Sequence, residues 1–188
     1  MSFDYPIVLD LTGVHVVVVG GGAVALRKVE GLLNAHADVT VVSPTTTDEI
    51  RDLPVRVVAR AYEPDDLNTA RLVITATDDP TVNAKVAADA ASHGIWANSA
   101  DDPANCTFIL PAVARSGPIT VSVSTGGASP ALASHLRSEI EVWLADVGAA
   151  DAADALAVQR SEMKAQGVST ESIDWSDRVR AALREPST

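Results

Sequence analysis

The fold of this chain is decided by residues 15–25, HVVVVGGGAVA, in which a β-branched run stops at three glycines. A short β-branched run bounded by glycine is typical of a buried parallel strand that meets a tight turn. From Ala23 to Ala35 the apolar residues then recur at close to helical spacing. The stretch therefore predicts a strand, a turn and a helix in that order.

The spacing Gly20-x-Gly22-x-x-Ala25 predicts a dinucleotide site in this context. Gly20 allows the tight turn, and Gly22 lets backbone amides approach a pyrophosphate without a Cβ in the way. Ala25 permits close packing of the helix on the strand, and the start of the helix carries a partial positive charge. We expect Gly20, Gly22, Ala23 and Val24 to contact the cofactor. The alternative is a glycine turn with a purely structural role.

Strands and helices alternate after this turn. Alternating strands and helical segments imply a parallel, doubly wound sheet with right-handed crossovers. The sequence predicts further strands at Val39–Val42, Val55–Ala59, Leu72–Thr77 and Ile95–Ala97, and a second helix from the cap Asp79-Pro80 to His93, before Gly94.

The pattern changes after about Pro103. Two β-type runs, Phe108–Ala114 and Ile119–Ser124, predict a hairpin. A lone hairpin is marginally stable in water, so a second copy of the chain is expected to support it in a homodimer. Ser129-Pro130 then begins a helix, and the rest is predicted to be helical to about residue 184. We therefore expect an N-terminal domain over residues 1–107, a β dimerisation region over 108–128 and a helical region over 129–188.

Charge and composition argue against several classes of function. The chain has 188 residues and a net charge of −11, which leaves no surplus of cations to neutralise nucleic-acid phosphates. The longest apolar run is too short to span a membrane, and the N-terminus lacks the basic region of an export signal. The single cysteine, Cys106, predicts neither an intrachain disulfide nor a thiolate metal cluster. We expect a cytoplasmic protein, and its acidity is typical either of proteins that work in strong salt or of a moderately acidic mesophile protein.

The end of the second strand departs from the usual dinucleotide pattern. An Asp or Glu is expected there for the adenosine ribose, yet the sequence is Ser43-Pro44-Thr45. Ser43 or Thr45 is expected to bind the ribose instead. Because no arginine follows immediately to favour a 2′-phosphate, NAD is predicted rather than NADP. Thr77 and Asp78 follow the fourth strand on the same edge of the sheet and are expected to contact the cofactor too.

Four motifs, in this order over most of residues 5–145, resemble those of precorrin-2 dehydrogenases, the NAD-dependent module of sirohaem synthase. The chain is too short for the methyltransferase half of the fused enzyme, so it resembles the stand-alone form. The motifs are Val19-Gly20-Gly21-Gly22-x-Val24-Ala25-x-Arg27-Lys28, Ala76-Thr77-Asp78-Asp79 with Val82-Asn83, Asn98-x-x-Asp101-x-Pro103 and Ser124-Thr125-Gly126-Gly127-Ala128-Ser129-Pro130.

The resemblance implies an α/β protein with an N-terminal Rossmann domain, a β-rich dimerisation region and a helical C-terminal part. It implies an oxidoreductase of sirohaem, and so of porphyrin or tetrapyrrole, biosynthesis that oxidises precorrin-2 to sirohydrochlorin with NAD as hydride acceptor. Some members of the family also insert Fe²⁺ into the product. An alternative is a Rossmann module that senses NAD without chemistry; it explains the glycines but neither the Asp101 segment nor the second glycine-rich loop.

The resemblance assigns the catalytic aspartate to Asp101, which could accept a proton or orient the ring nitrogens of the macrocycle. Its neighbour Asp102 could take this role instead. The alternative is that Asp101-Asp102-Pro103 is an exposed turn without a catalytic role. The carboxylates of the substrate need local donors, which a glycine-rich loop at a helix start can supply. No metal cluster is predicted. The expected substrate contacts are Asn98, Arg115, Ser124, Thr125, Gly126, Gly127, Ser129 and Arg137.

Overall fold

The computed structural model describes residues 3, 5–100, 102–171 and 173–184. The chain divides into two compact units, Met1–Leu110 and Pro111–Thr188. In its described part, the first unit holds five strands, three α-helices and two short 3₁₀ turns. These are β1 (His15–Val19), α1 (Ala23–Asn34), β2 (Asp38–Val42), α2 (Asp48–Arg51), β3 (Arg56–Val58), a 3₁₀ turn at Pro64–Leu67, β4 (Leu72–Thr75), α3 (Pro80–Ser92), β5 (Trp96–Ser99) and a 3₁₀ turn at Pro103–Asn105.

All five strands of the first unit are parallel, in the order β3-β2-β1-β4-β5. The strand order reverses at β1: β2 and β3 lie on one side of it, and β4 and β5 lie on the other. Ligands of doubly wound sheets bind at such a switch point, beyond the carboxyl ends of the strands. The predicted Rossmann domain with a parallel sheet is confirmed, and the glycine turn lies at its switch point.

The valine run of β1 is buried on both faces of the sheet. Val16 and Val18 belong to a core that includes Val29 of α1, whereas Val17 and Val19 belong to a second core that includes Val86 of α3. Successive side chains of a strand point to opposite faces, so a strand covered by helices on both sides needs an unbroken apolar sequence. Each buried valine stabilises the fold by about 1.5–3 kcal/mol relative to an exposed one.

Several strand ends differ from the prediction by a few residues. The strand predicted at Leu72–Thr77 ends at Thr75, because the Thr77 hydroxyl accepts a hydrogen bond from Asp79 N (3.2 Å) at the start of α3. The strand predicted at Val55–Ala59 is limited to Arg56–Val58. The strand predicted at Ile95–Ala97 is shifted to Trp96–Ser99, and α2 was not predicted.

The second unit contains the predicted hairpin followed by helices. Its elements in the described residues are β6 (Ala112–Ser116), β7 (Ile119–Val123), α4 (Pro130–Asp146), α5 (Ala149–Ala165) and α6 (Ser176–Ala182). The two strands pair antiparallel. The first begins at Ala112 and not at Phe108, because the Phe108 side chain packs against the core of the first unit. No helix among the described residues is long and apolar enough to cross a membrane.

The hairpin is supported within its own unit. Ala114 of β6 is fully buried and shares a core with Leu144 of α4 and Val147, against which Val121 of β7 also packs. The partner surface that the hairpin was expected to need is therefore found within its own unit, where α4 covers one of its faces. The need for such a surface was the reason to expect a homodimer, which remains a prediction without this support.

Candidate functional site

Two of the three glycines at the switch point are required by close backbone contacts. Gly20 has a φ of +127°, and a Cβ there would lie 2.3 Å from the carbonyl oxygen of Ala76, after β4. A Cβ on Gly21 would lie 2.0 Å from the carbonyl oxygen of Thr45, after β2. The turn therefore touches the loops after both neighbouring strands. The fingerprint does not specify Gly21; its only signal in the sequence is a third consecutive glycine.

Gly22 differs from these two glycines, because a Cβ there would meet no described atom within 4 Å. Gly22 and Ala23 are exposed at the start of α1, and among the described residues no side chain caps this helix. The first N–H groups of a helix have no intrahelical acceptor, and the helix dipole favours an anion beside them. The open space and the uncapped amides suit the pyrophosphate of a dinucleotide. Val24, also predicted to contact the cofactor, is half-buried in the same turn.

The residues predicted for the ribose lie on the loop after β2. Ser43 is buried and its hydroxyl donates to the carbonyl oxygen of Thr45 (2.7 Å). Pro44 and Thr45 are exposed. Together with Thr46 and Arg51 they line a cavity of about 470 Å³. Arg51 was not predicted, because α2 returns it to the loop from a later part of the sequence.

The residues predicted after β4 form a small hydrogen-bonded turn. The Thr77 hydroxyl donates to Asn83 Oδ1 (2.8 Å), and Asn83 Nδ2 donates to the Thr77 carbonyl (3.0 Å). Asp78 is exposed beside them. The predicted cap at Asp79 is confirmed, since its carboxylate accepts from Thr81 N (2.8 Å). Asn83 is buried and fixes the turn, a role that only the folded geometry reveals.

Cys106 joins the two ends of the segment that follows β5 through contacts with the backbone of Ser99 and Asp102. Asp101 lies outside the described residues, but both sides of the segment are described. The Cys106 Sγ accepts a hydrogen bond from Ser99 N (3.1 Å) and lies 3.3 Å from the carbonyl oxygens of Ser99 and Asp102, to which its S–H can donate. Burial raises the pKa of the Cys106 thiol, which keeps it a protonated donor. Asp102 accepts from Asn105 Nδ2 (2.6 Å), so its carboxylate is used within the segment.

Asn98 and Thr107 add further hydrogen bonds between β5 and the residues that follow this segment. The Asn98 side chain is buried, and its Nδ2 donates to the carbonyl of Phe108 (3.0 Å). Thr107 N donates to the carbonyl of Ala97 (2.8 Å), and Ala97 N donates to the Thr107 hydroxyl (2.7 Å). Asn98 was predicted to contact substrate; in the structure its amide anchors the segment that follows β5.

We predict that Cys106→Ala lowers the free energy of unfolding by about 1–3 kcal/mol, because the buried Ser99 N–H loses its acceptor. Urea unfolding followed by circular dichroism measures the change. Cys106→Ser is the control, since its hydroxyl can still accept this hydrogen bond, and it should destabilise less. Equal stability of the alanine variant and the unmodified protein would contradict the role given to the thiol.

The glycine-rich loop of the second unit is held by its own hydroxyls. Ser129 N donates to the Thr125 hydroxyl (3.0 Å), which donates to the Ser129 carbonyl (3.1 Å). The Ser124 hydroxyl accepts from Gly126 N (3.2 Å). Gly126 and Gly127 have φ values of +60° and +87°, which favour glycine. The predicted cap at Ser129 is confirmed by its bond from Leu132 N (3.2 Å).

The two arginines predicted to bind substrate already have partners in this unit. Arg115 lies on β6, and its Nη1 donates to the Thr120 hydroxyl across the hairpin (3.0 Å). Arg137 lies on α4, where it forms an ion pair with Glu141 and donates to the Ser138 hydroxyl (2.8 Å). An acidic partner is therefore already bound to Arg137, whereas Arg115 forms no ion pair with the carboxylates that the structure describes. Among the described His, Cys, Asp and Glu residues, no group of three or more is arranged to hold a metal ion.

Two family models match the chain. A model described as NAD(P)-binding matches residues 7–112, which is more than half of the chain. A model described as the central part of a sirohaem biosynthesis protein matches residues 116–142, which cover most of the hairpin and the glycine-rich loop.

Individual proteins are also similar to this chain. The siroheme synthase of Pseudomonas entomophila is 42% identical over 146 residues, which are 75% of this chain and 32% of that protein. The siroheme synthase of Methylococcus capsulatus is 46% identical over 146 residues, 75% of this chain and 31% of that protein. The chain thus spans about a third of the length of these curated relatives. A solved structure of SirC, a precorrin-2 dehydrogenase, covers 95% of this chain and 87% of its own, with a TM-score of 0.70 and 26% identity.

Proposed function

Since the chain belongs to the NAD(P)-binding family whose model matches residues 7–112, we propose that it oxidises precorrin-2 to sirohydrochlorin with NAD as the hydride acceptor. One observation carries this proposal: the open, uncapped helix start at Gly22 occurs in a fold shared with a precorrin-2 dehydrogenase over nearly the whole chain. The activity places the protein among the oxidoreductases of sirohaem biosynthesis.

The cofactor would lie across the switch point of the first unit. The amides of Ala23 and Val24 would bind the pyrophosphate, and the loop Ser43–Thr45 would receive the adenosine ribose. Thr77 and Asp78 would contact the part of the dinucleotide next to β4. When bound, a nicotinamide ring supplies the hydride acceptor, so the chain itself has to position the macrocycle and manage a proton.

Asp101 is the residue we propose for the proton. Oxidation removes a hydride and a proton from the macrocycle, and a carboxylate near the reacting carbon can accept that proton. Hydrogen bonds in the neighbouring residues support this role, because Cys106 and Asn98 fix the chain on either side of the aspartate.

The acidic rim of the substrate would be bound by the second unit. The loop from Ser124 to Ser129 has two glycines, and a Cβ added to either would meet no described atom within 4 Å. Helix α4 begins directly after this loop. Arg115 and Arg137 would supply positive charge to the acetate and propionate groups. A cation is needed there, because the net charge of −11 opposes a polyanionic substrate at long range.

A coupled absorbance assay tests the reaction. The protein is mixed with NAD and precorrin-2 generated in situ, and sirohydrochlorin and NADH are followed together. The proposal expects both to rise in equal amounts. Tight NAD binding without NADH formation would instead identify a sensor, and loss of sirohydrochlorin after addition of Fe²⁺ would reveal the additional chelatase.

The homodimer and the cytoplasmic location remain parts of the proposal. The free, buried Cys106 thiol suits a reducing compartment. Leu132, Leu136 and Trp143 on α4 are 49%, 40% and 52% exposed, and a second copy of the chain would cover such apolar side chains. We expect twice the monomer mass in light scattering at micromolar concentration. A monomer mass would contradict the dimer.

A further inference from the structure

The cavity at the end of β2 differs from a typical ribose pocket in its charge. It has a volume of about 470 Å³ and is lined by the loop 43–46, by Arg51 and by apolar residues around β3. It lies at the carboxyl ends of the strands, and the Gly21 turn touches the same loop. In a dinucleotide-binding sheet this is where the adenosine end of the cofactor is recognised.

The strand end contains no carboxylate that would select against a 2′-phosphate. In NAD-specific sites an acid at this position accepts hydrogen bonds from the ribose hydroxyls. Such an acid also repels a 2′-phosphate, because like charges at contact distance are unfavourable. Here the position is taken by Ser43, whose hydroxyl is already donated to the Thr45 carbonyl (2.7 Å). Charge repulsion of this kind is therefore missing.

Arg51 places a cation in the same cavity and is held there by the loop itself. Its Nε donates to the Thr46 hydroxyl (3.2 Å) and its Nη2 to the Thr46 carbonyl (2.5 Å), while Nη1 donates to Asp48. A guanidinium has five N–H donors, so about two remain after these three bonds. The Arg51 side chain is 55% exposed, which leaves it accessible to a ligand.

The ion pair with Asp48 does not cancel this cation. The Asp48 side chain is 89% exposed, and exposed ion pairs contribute little to stability. A phosphate can displace such a carboxylate, because it carries more charge and accepts bidentate hydrogen bonds from arginine. The bonds to Thr46 would persist and keep the guanidinium at the cavity.

We infer that Arg51 and Thr46 form a subsite for the 2′-phosphate of NADP, so that the protein binds NADP as well as NAD. The inference rests on the proposed nucleotide site and deepens it, since it concerns which dinucleotide that site admits. We expect the Kd for NADPH to lie within about tenfold of the Kd for NADH, because one arginine–phosphate contact can offset an affinity difference of that size.

Calorimetric titration of the full chain with NADH and with NADPH tests the subsite without any catalytic step. Arg51→Ala should weaken NADPH binding by about tenfold or more and leave NADH binding within about twofold. Arg56→Ala is the matched control, because Arg56 is an exposed arginine that precedes the lining residue Val57 and does not itself line the cavity. It should change neither affinity.

Asp48→Asn provides a test with the opposite sign. Removing the competing carboxylate should strengthen NADPH binding several-fold and leave NADH binding nearly unchanged. The subsite is overturned if NADH binds and NADPH does not, or if Arg51→Ala weakens both dinucleotides equally. If neither binds to the unmodified protein, the nucleotide site of the proposed function fails first and the subsite fails with it.

Discussion

Asp101→Ala is expected to lower the rate of sirohydrochlorin formation by about 10²–10⁴-fold, the usual contribution of a general acid–base group. The affinity for NADH should stay nearly unchanged, because Asp101 belongs neither to the glycine turn nor to the loop after β2. Initial rates at saturating NAD, together with an NADH titration of the same variant, separate the two effects.

Asp102→Ala is the matched control for this experiment. Its carboxylate accepts from Asn105 Nδ2 (2.6 Å), so its removal should mainly lower stability and affect the rate far less. If Asp101→Ala keeps a rate near that of the unmodified protein and Asp102→Ala loses most of its rate, the general base is Asp102. Equal modest losses in both variants would leave neither aspartate as the base.

Gly22→Val is expected to weaken NADH binding by about 10–100-fold while leaving the free energy of unfolding almost unchanged. The Cβ would enter the open space at the start of α1, where no described atom lies within 4 Å and where the pyrophosphate is expected. The backbone at Gly22 is extended, with a φ of −91°, so valine fits without strain. The loss corresponds to about 1.4–2.7 kcal/mol, close to one charge-assisted hydrogen bond of about 1.5–3 kcal/mol.

Gly21→Ala should instead destabilise the fold itself. Its Cβ would lie 2.0 Å from the Thr45 carbonyl oxygen, so the loop after β2 must move and the fold should lose at least about 1–3 kcal/mol. Thermal unfolding and NADH titration of both variants make the comparison. If Gly22→Val unfolds the protein, or binds NADH normally, the space at Gly22 is not the site of the pyrophosphate.

The parts of the fold that were predicted well depend on neighbouring residues. The run Val16–Val19 predicts a doubly buried strand, because only a strand covered on both faces has no polar alternation. The caps at Asp79 and Ser129 are also local, since each involves the next few N–H groups. These features need no knowledge of what lies across the sheet.

The parts that were missed depend on contacts between distant segments. Gly21 is required because the Thr45 carbonyl lies against it, and Arg51 reaches the cavity beside the loop 43–46 because the short helix α2 brings it back to that loop. The hairpin was expected to be supported by a second copy of the chain, whereas α4 supports it within the same unit, because helical periodicity does not state what a helix covers. For the site, the glycine turn was predictable, whereas the anchoring roles of Asn83 and Asn98 were not.

Thr107 has a consequence for how this protein behaves in a crowded cell. β5 is one of the two outer strands of the sheet, and the N–H and carbonyl of Ala97 would otherwise be free to pair with a strand of another molecule. Thr107 occupies both groups, with its hydroxyl and its own N–H. An unprotected edge strand is a template for aggregation. The segment between β5 and Thr107 thus protects this edge of the sheet, so we expect changes in its length to lower the solubility of the protein.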